Sequence, residues 1–327
     1  MSGELARVGA VILLMALCPL SPLAASAEDS CLYVDAHGSI IQTRSLLMVP
    51  AEYRARAVCK AIQEDQIAPP SEVDLGNEAR TAQFATDLGP MRVRWPRSIE
   101  RCFSSSPSRA VGDAAIGVNR AIKSGRFTTD LKHVHRDWDL VFTDKATALA
   151  QFPVALTLGG HPGFMIPPNR IYIITDFVAP NCDGAKIGDE VLAQVLLHEM
   201  GHVLEYLLLG EHASNSDRQR AEGFASWFEQ YSAEFTRGIP PGQVREYYAR
   251  LAKQALEQGA GSFTGSGQDY AYAALQYQAI VKRRGVSGLM QVYQVMRESH
   301  IPFHDAVQRA IGWNRKTLER EMREVSP

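Results

Sequence analysis

The chain has 327 residues, of which 46% are apolar and 21% are charged. This is ordinary globular usage, which excludes disordered, collagen-like and low-complexity classes. Lys and Arg number 34 against 36 Asp and Glu, so no surplus of positive charge favours nucleic-acid binding.

The first 27 residues have the pattern of a secretory signal peptide. Arg7 precedes a short apolar run over residues 8–18, and small residues fill positions 25–27. A basic residue, a short apolar stretch and an A-x-A ending are typical of a cleaved signal, and the run is short for a membrane span. An uncleaved anchor is the alternative. We expect a periplasmic or secreted mature chain with no membrane span.

Four cysteines remain once residues 1–27 are removed, and an even number in an exported chain fits two disulfides. Three pairings are possible. We favour Cys31–Cys59 and Cys102–Cys182, because each would close a local unit. A metal held by cysteines is the alternative, but the sequence has no Cys-x-x-Cys pair to support it.

Residues 28–70 are expected to form a small unit that ends at Pro69-Pro70-Ser71. Two strand-like segments, 31–35 and 39–43, flank Ala36-His37-Gly38 and indicate a β-hairpin. Val49-Pro50 then opens a helix that is expected to run past Cys59. The pattern YVDxxGxIxxT followed by VPxEYR resembles a short module near the N-terminus of many bacterial envelope proteins, which implies an accessory role.

Residues 71–327 are expected to form one α+β domain. The segment 110–122 is a helix candidate, and 139–143 and 171–175 are strand-like by their β-branched and aromatic content. The glycine-rich residues 159–163 indicate a loop. From Asp189 onward the chain is expected to be almost wholly helical. Its breaks are expected at 210–217, 238–242, 259–267 and Arg284-Gly285.

His198-Glu199-Met200-Gly201-His202 carries the clearest chemical signal, because it lies in an apolar helix pattern over residues 191–209. Residues four apart share a helix face, with Cβ atoms about 5–6 Å apart, so both imidazoles could ligate one ion. Glu199 points about 100° away on the same turn and could reach a water held by that ion. This is the arrangement of a zincin, in which zinc acidifies the water and the carboxylate removes its proton. A chance HExxH in a core helix is the alternative.

Glu222 is the best candidate for the third metal ligand. A metzincin is excluded because Glu205 and Leu208 stand at the positions that its motif reserves for Gly and His. The nineteen residues between His202 and Glu222 allow one helix to end near residue 210 and a second to start near 217. Small residues beside Glu222, Ala225 and Ser226, would let the two helices approach. A solvated face is the alternative for Glu222, with Glu205 and His212 as fallback ligands.

HExxH followed by Glu222-Gly223-Phe224-Ala225 resembles the gluzincin peptidases, a group that includes thermolysin and the zinc aminopeptidases. The resemblance implies one Zn²⁺ ion, a peptide or protein substrate, and a thermolysin-like fold with a small mixed sheet and a mostly helical C-terminal half. Ala221 replaces the usual Asn, the spacer is one residue longer, and no Gly-x-Met-x-Asn strand is recognised. The resemblance therefore does not extend to aminopeptidase specificity.

The C-terminal third is similar to the helical tail of peptidase-MA-like bacterial proteins, through residues 269–285 and 302–312. In related gluzincins a tyrosine at the start of such a helix hydrogen-bonds the oxyanion, which implies this role for Tyr270, with Tyr272 as the runner-up. Packing in the core or in the cleft wall is the alternative. The strand 171–177 is expected either at the sheet edge, where it could pair with substrate, or inside the sheet.

The sequence therefore predicts an exported zinc metallopeptidase with His198, His202 and Glu222 as ligands and Glu199 as general base. Two rival functions remain open: a non-catalytic envelope module with a zinc-stapled helix pair, and a zinc hydrolase that acts on peptidoglycan peptides. His133, His135 and His161 are assigned no site. No pattern in the sequence indicates an oligomeric state.

Overall fold

The computed structural model describes residues 29–34, 40–43, 58–61, 75, 79–127, 137–144, 163–166, 169–175, 188–210, 217–258 and 263–326. The chain forms two compact units, which divide between Ser71 and Glu72. The predicted signal segment lies outside the described residues. Among the helices that are described, none has the length and apolar character needed to cross a bilayer.

The smaller unit contains a three-stranded antiparallel sheet. Strand β1 (Asp29–Val34) pairs with β2 (Ile40–Thr43), which confirms the hairpin, and on its other side with β3 (Val58–Ala61). The prediction of a helix running past Cys59 is wrong, because β3 uses its backbone hydrogen bonds to extend this sheet instead. Cys31 and Cys59 lie opposite each other in the register of β1 and β3.

The larger unit is α+β, as expected, and the sheet formed by its described residues is mixed and five-stranded. The strands are β4 (Ala79–Thr86), β5 (Gly89–Pro96), β6 (Trp138–Thr143), β7 (Gly163–Ile166) and β8 (Arg170–Ile174), in the order β4-β5-β6-β8-β7. Strands β5, β6 and β8 run parallel, whereas β4 and β7 run antiparallel to their neighbours at the two edges. Strand β8 is therefore internal, and the alternative that placed residues 171–177 at the edge is wrong.

The helices come mainly after the sheet. They are α1 (Pro107–Gly125), α2 (Asp189–Leu209), α3 (Arg218–Ala233), α4 (Gln243–Gln258), α5 (Gly267–Ser299), α6 (Phe303–Ile311) and α7 (Arg315–Val325). The described helix ends agree with the expected breaks after residue 189, and residues 211–216 and 259–262 within those breaks lie outside the described residues. The break at Gly285 is a kink within α5, where a φ of 70° suits a residue without a Cβ.

In the larger unit, one continuous apolar core joins the five-stranded sheet to the helices. Helix α1 contacts β4 and α2, and α2 contacts α3, α5 and the edge strand β7. Side chains alternate along the strands, so Leu140 and Ile171 face this core while Val141 and Tyr172 lie in a second, smaller cluster. The motif helix α2 is thus held between the sheet edge and the helical half.

Cys102, at the end of a short 3₁₀ helix, Arg97–Cys102, is disulfide-bonded. Its predicted partner Cys182 lies outside the described residues. The side chains of Cys31 and Cys59 are not described either, so their pairing stays a prediction.

Candidate metal centre

Helix α2 carries His198, Glu199 and His202. Asp189 and Glu190 stand in its first turn, where negative charge favours the helix dipole. The helix ends at Gly210, whose φ of 67° is easily adopted by glycine. The two histidine rings lie 5.0 Å apart between centroids, as expected for residues at i and i+4.

Helix α3 brings Glu222 to the two histidines. The carboxylate of Asp217 accepts a hydrogen bond from the backbone N–H of Arg220 and caps the helix, so Glu222 falls in its second turn. The two helices are in close contact: a Cβ added to Gly201 would lie 2.8 Å from the Cα of Ala225. The expectation that small residues permit this approach is confirmed.

The ligand atoms of His198, His202 and Glu222 lie within 4.8 Å of one another and form a group that could hold a metal ion. Glu222 Oε2 is 3.2 Å from His198 Nε2 and 3.4 Å from His202 Nε2. Ligands about 2.0–2.1 Å from a tetrahedral ion lie about 3.3 Å apart. The two measured separations therefore match the spacing that a tetrahedral metal requires.

The electrostatics of His198 also fit a cation. Its Nε2 faces Glu222, and its Nδ1 lies 3.3 Å from Glu229 Oε2. Burial lowers the pKa of His198, but the two carboxylates outweigh it and raise the pKa well above its usual value. Burial raises the pKa of Glu222, whereas His202 and His198 hold it well below its usual value. The site thus favours positive charge between the imidazoles and Glu222, which a metal ion would supply.

Glu229 also contacts the candidate site, and the sequence analysis assigned it no role. It lies two turns after Glu222 on α3, is 6% exposed, and its Oε2 also accepts a hydrogen bond of 2.6 Å from the hydroxyl of Tyr248 on α4. A carboxylate on the second nitrogen of a metal-binding histidine fixes the tautomer and orientation of the ring. The spacing from Glu222 could have suggested Glu229, but no local pattern points to Tyr248.

Glu199 is buried beside His198, His202 and Glu222 but is not part of that group of three candidate ligands. It is 4% exposed, and its Oε2 has no hydrogen-bond partner among the described residues. Burial raises the pKa of Glu199, although His202 and His198 act in the opposite direction. A buried carboxylate without a partner is costly, and a water between Glu199 and a bound metal would give this oxygen its hydrogen bond.

Tyr270 lies at the site, at the start of α5. Its ring centroid is 6.0 Å from that of His198, and its hydroxyl oxygen accepts a hydrogen bond of 3.2 Å from Arg218 Nη2. Burial and the charge of Glu222 raise the pKa of Tyr270, so its hydroxyl keeps its proton at neutral pH. Tyr272 lies elsewhere, half-buried near Glu319 of α7.

The fallback ligand Glu205 is committed to a buried cluster that joins α2, α3 and α5. Its Oε1 accepts hydrogen bonds from Arg220 Nε at 3.0 Å and from the Tyr293 hydroxyl at 2.6 Å. This cluster fixes the packing of the helices that carry the ligands. His212, His133, His135 and His161 lie outside the described residues.

The chain matches no model of a known protein family, and no curated protein is recognisably similar to it.

Proposed function

We propose that the chain is a zinc-dependent peptidase of the gluzincin type, with His198, His202 and Glu222 as the metal ligands. The observation that carries the proposal is the spacing of the three ligand atoms, together with the buried, unpartnered Oε2 of Glu199 beside them. Two nitrogens and one carboxylate oxygen form a donor set that zinc favours, and three protein ligands leave the fourth position open to water, as in catalytic zinc sites.

A zinc ion in this position supplies a Lewis acid that polarises the scissile carbonyl and acidifies a water molecule. With zinc bound, Glu199 would be placed to accept a proton from a water molecule whose oxygen attacks the carbonyl carbon. Glu199 then gives the proton to the nitrogen of the departing amine, so that one water and one peptide bond yield a carboxylate and an amine. The hydroxyl of Tyr270 donates a hydrogen bond to the carbonyl oxygen as negative charge develops there.

The position of the edge strand β7 is an argument that the substrate is a peptide. Strand β7 is the last strand of the described sheet, it contacts α2, and a Cβ added to its first residue, Gly163, would lie 2.7 Å from Glu199 Oε1. A peptide that pairs with β7 by backbone hydrogen bonds would therefore pass close to Glu199, and such pairing gives affinity without dependence on sequence. We therefore assign backbone pairing with the substrate, which was considered for residues 171–177, to residues 163–166.

The rival reading, a structural zinc staple, requires four protein ligands. Within the described residues the cluster has three, and the fallback Glu205 is held by Arg220 and Tyr293 instead. We favour catalysis for this reason. Export to the periplasm or the medium remains part of the proposal, because the signal pattern of residues 1–27 and the even number of later cysteines agree on it.

The test replaces Glu199 with Gln and measures zinc content and hydrolysis of a broad peptide library. Glu199→Gln keeps the shape of the side chain but cannot accept the proton, so we expect full zinc occupancy and at least a hundredfold lower kcat, about the contribution of a general base.

Glu246→Gln is the matched control, because Glu246 is an exposed glutamate of α4. An active Glu199→Gln variant would rule out the mechanism. Cleavage of purified cell wall, with no cleavage of the peptide library, would favour the peptidoglycan alternative.

A further inference from the structure

A guanidinium group touches both a ligand carboxylate and the tyrosine of the candidate metal centre. Arg218 is the first residue of α3, one turn before Glu222. Its Nε lies 3.6 Å from Glu222 Oε1, and its Nη2 donates to the Tyr270 hydroxyl oxygen at 3.2 Å. Glu222 Oε2, by contrast, faces the two histidines, so the two carboxylate oxygens have different neighbours.

The direction of the hydrogen bond to Tyr270 is fixed by chemistry. A guanidinium has five N–H donors and no acceptor, so the Tyr270 oxygen must accept in this contact. The contact therefore does not use the phenolic proton, and it restricts the rotation of the hydroxyl. A positive charge on the acceptor side also withdraws electron density from the oxygen, which makes the O–H a stronger donor.

The segment before α5 fixes Arg218 in this position. The Phe263 ring centroid is 5.8 Å from Arg218 Cζ and 5.7 Å from the Tyr270 ring centroid. Gly265 has a φ of 90°, and a Cβ there would lie 3.1 Å from Arg218 Nη2. The arginine thus lies against an aromatic ring, a glycine and a ligand carboxylate, and 35% of its side chain remains exposed.

We propose that Arg218 is a positioning residue that orients the Tyr270 hydroxyl toward the oxyanion of the peptidase reaction. This proposal rests on the proposed function and adds a residue that the HExxH and EGFA motifs do not contain. Arg218 acts through Tyr270 and does not itself touch the substrate. It therefore favours the transition state and leaves ground-state substrate binding almost unchanged.

A double-mutant cycle tests the proposal at saturating zinc, with Arg218→Met, Tyr270→Phe and the double variant. We expect Arg218→Met to lower kcat about tenfold with KM nearly unchanged, since it removes one charge-assisted hydrogen bond. In the Tyr270→Phe background the same substitution is expected to change kcat less than twofold, because the group through which Arg218 acts is already lost. Arg218→Lys, which keeps the charge and a donor, should recover part of the loss.

A second readout does not depend on turnover. A phosphonate peptide that mimics the tetrahedral transition state should bind Arg218→Met about tenfold more weakly than it binds wild type. The matched substrate peptide, measured in an inactive Glu199→Gln background, should bind equally well with and without Arg218→Met. Arg245→Met is the control, because Arg245 also lies 3.5 Å from a carboxylate, that of Glu234, but is on α4.

If Arg218→Met lowered kcat by the same factor in the wild-type and Tyr270→Phe backgrounds, the positioning role would be overturned and Arg218 would have only a structural role. Unchanged phosphonate affinity in Arg218→Met would overturn it too. Wild-type protein that binds zinc but neither cleaves any peptide nor binds the phosphonate would instead refute the proposed function, so the two failures are distinguishable.

Discussion

Among single residues, the proposed zinc ligands depend on side chains that hold them in place: Glu229 Oε2 lies 3.3 Å from His198 Nδ1 and accepts a hydrogen bond from the Tyr248 hydroxyl. The i, i+4 histidines and a later glutamate follow from sequence spacing, because a helix places residues four apart on one face. Glu229 could have been found as the next carboxylate on the face of Glu222. The hydroxyl of Tyr248 comes from a helix that follows a turn, so only the packing of α4 against α3 brings it to Glu229.

Tyr248→Phe is expected to weaken zinc binding about tenfold. Losing a residue that holds a metal ligand in place by a hydrogen bond weakens metal binding about 10- to 100-fold, and Tyr248 acts one step further out, through Glu229. Burial and the charge of Glu229 raise the pKa of Tyr248 well above its usual value, so the hydroxyl stays protonated and donates to Glu229. Without it, Glu229 holds the His198 ring less firmly.

Zinc affinity in competition with a chelator measures this effect, and Tyr247→Phe is the control, because Tyr247 is the exposed neighbour on the same helix. Equal affinities for the two variants would show that the hydroxyl does not support the site.

At the scale of elements, the distance between α2 and α3 determines whether the ligands converge. Gly201 lies between the two histidines in sequence, and it faces the backbone of Ala225 on α3. The sequence shows that both residues are small. It does not show that they face each other, because the relative rotation of the two helices depends on packing against α5 and the sheet.

Gly201→Ala is expected to separate the two helices, because its Cβ would lie 2.8 Å from Ala225 Cα and backbone cannot yield easily. We expect the free energy of unfolding to fall by about 1–3 kcal/mol, as for other overpacked sites. Zinc affinity should fall with it, since Glu222 moves away from the histidines.

Gly267→Ala at the first residue of α5 is the matched control, because an added Cβ there meets only the end of the Leu251 side chain, at 3.4 Å. Chemical unfolding and zinc titration of both variants check the prediction. Gly201→Ala protein with wild-type zinc affinity would contradict the role given to this contact.

Much of the element order was also predictable. The strands at 139–143 and 171–175, the helix at 110–122 and the long helices after residue 189 follow from composition and periodicity. Strand β4 carries no strong alternation of apolar and polar residues, and β7 has four residues, so their assignment depends on pairing with neighbours. For the same reason β3 was mistaken for helix. Strand β5 does alternate, with Met91, Val93 and Trp95 separated by arginines, so periodicity could have predicted it.

At the scale of the whole molecule, one ionic contact links three strands of the sheet. Asp139 on β6 accepts two hydrogen bonds from Arg92 on β5, at 2.7 and 3.0 Å, and lies 3.9 Å from Arg170 on β8. Burial raises the pKa of Asp139, but the arginines outweigh this and lower the pKa below its usual value.

A carboxylate with a lowered pKa stabilises the fold above the pKa of the unfolded chain, about 3.9, and loses this effect as the pH falls through the folded value. We therefore expect Asp139→Asn to lower the free energy of unfolding at pH 7 by about 1 kcal/mol, since Arg92 is partly exposed. The difference from wild type should shrink as the pH falls from 7 through the lowered pKa of Asp139.

Urea unfolding at pH 7 and at pH 3 measures this difference, with Glu319→Gln in an exposed helical ion pair as the control. A difference that persists unchanged at pH 3 would show that the Asp139 charge is not its cause.

We propose that side chains from two helices hold one zinc ion and that Glu222 is needed to complete the site. The most direct measurement is the zinc content per chain after dialysis at a fixed free zinc concentration, for wild type, Glu222→Ala and the surface control Glu246→Ala. The account predicts one zinc per chain in wild type and in Glu246→Ala, and at least tenfold weaker binding in Glu222→Ala, since one of three ligands is lost. Zinc binding by Glu222→Ala that equals that of wild type would contradict it.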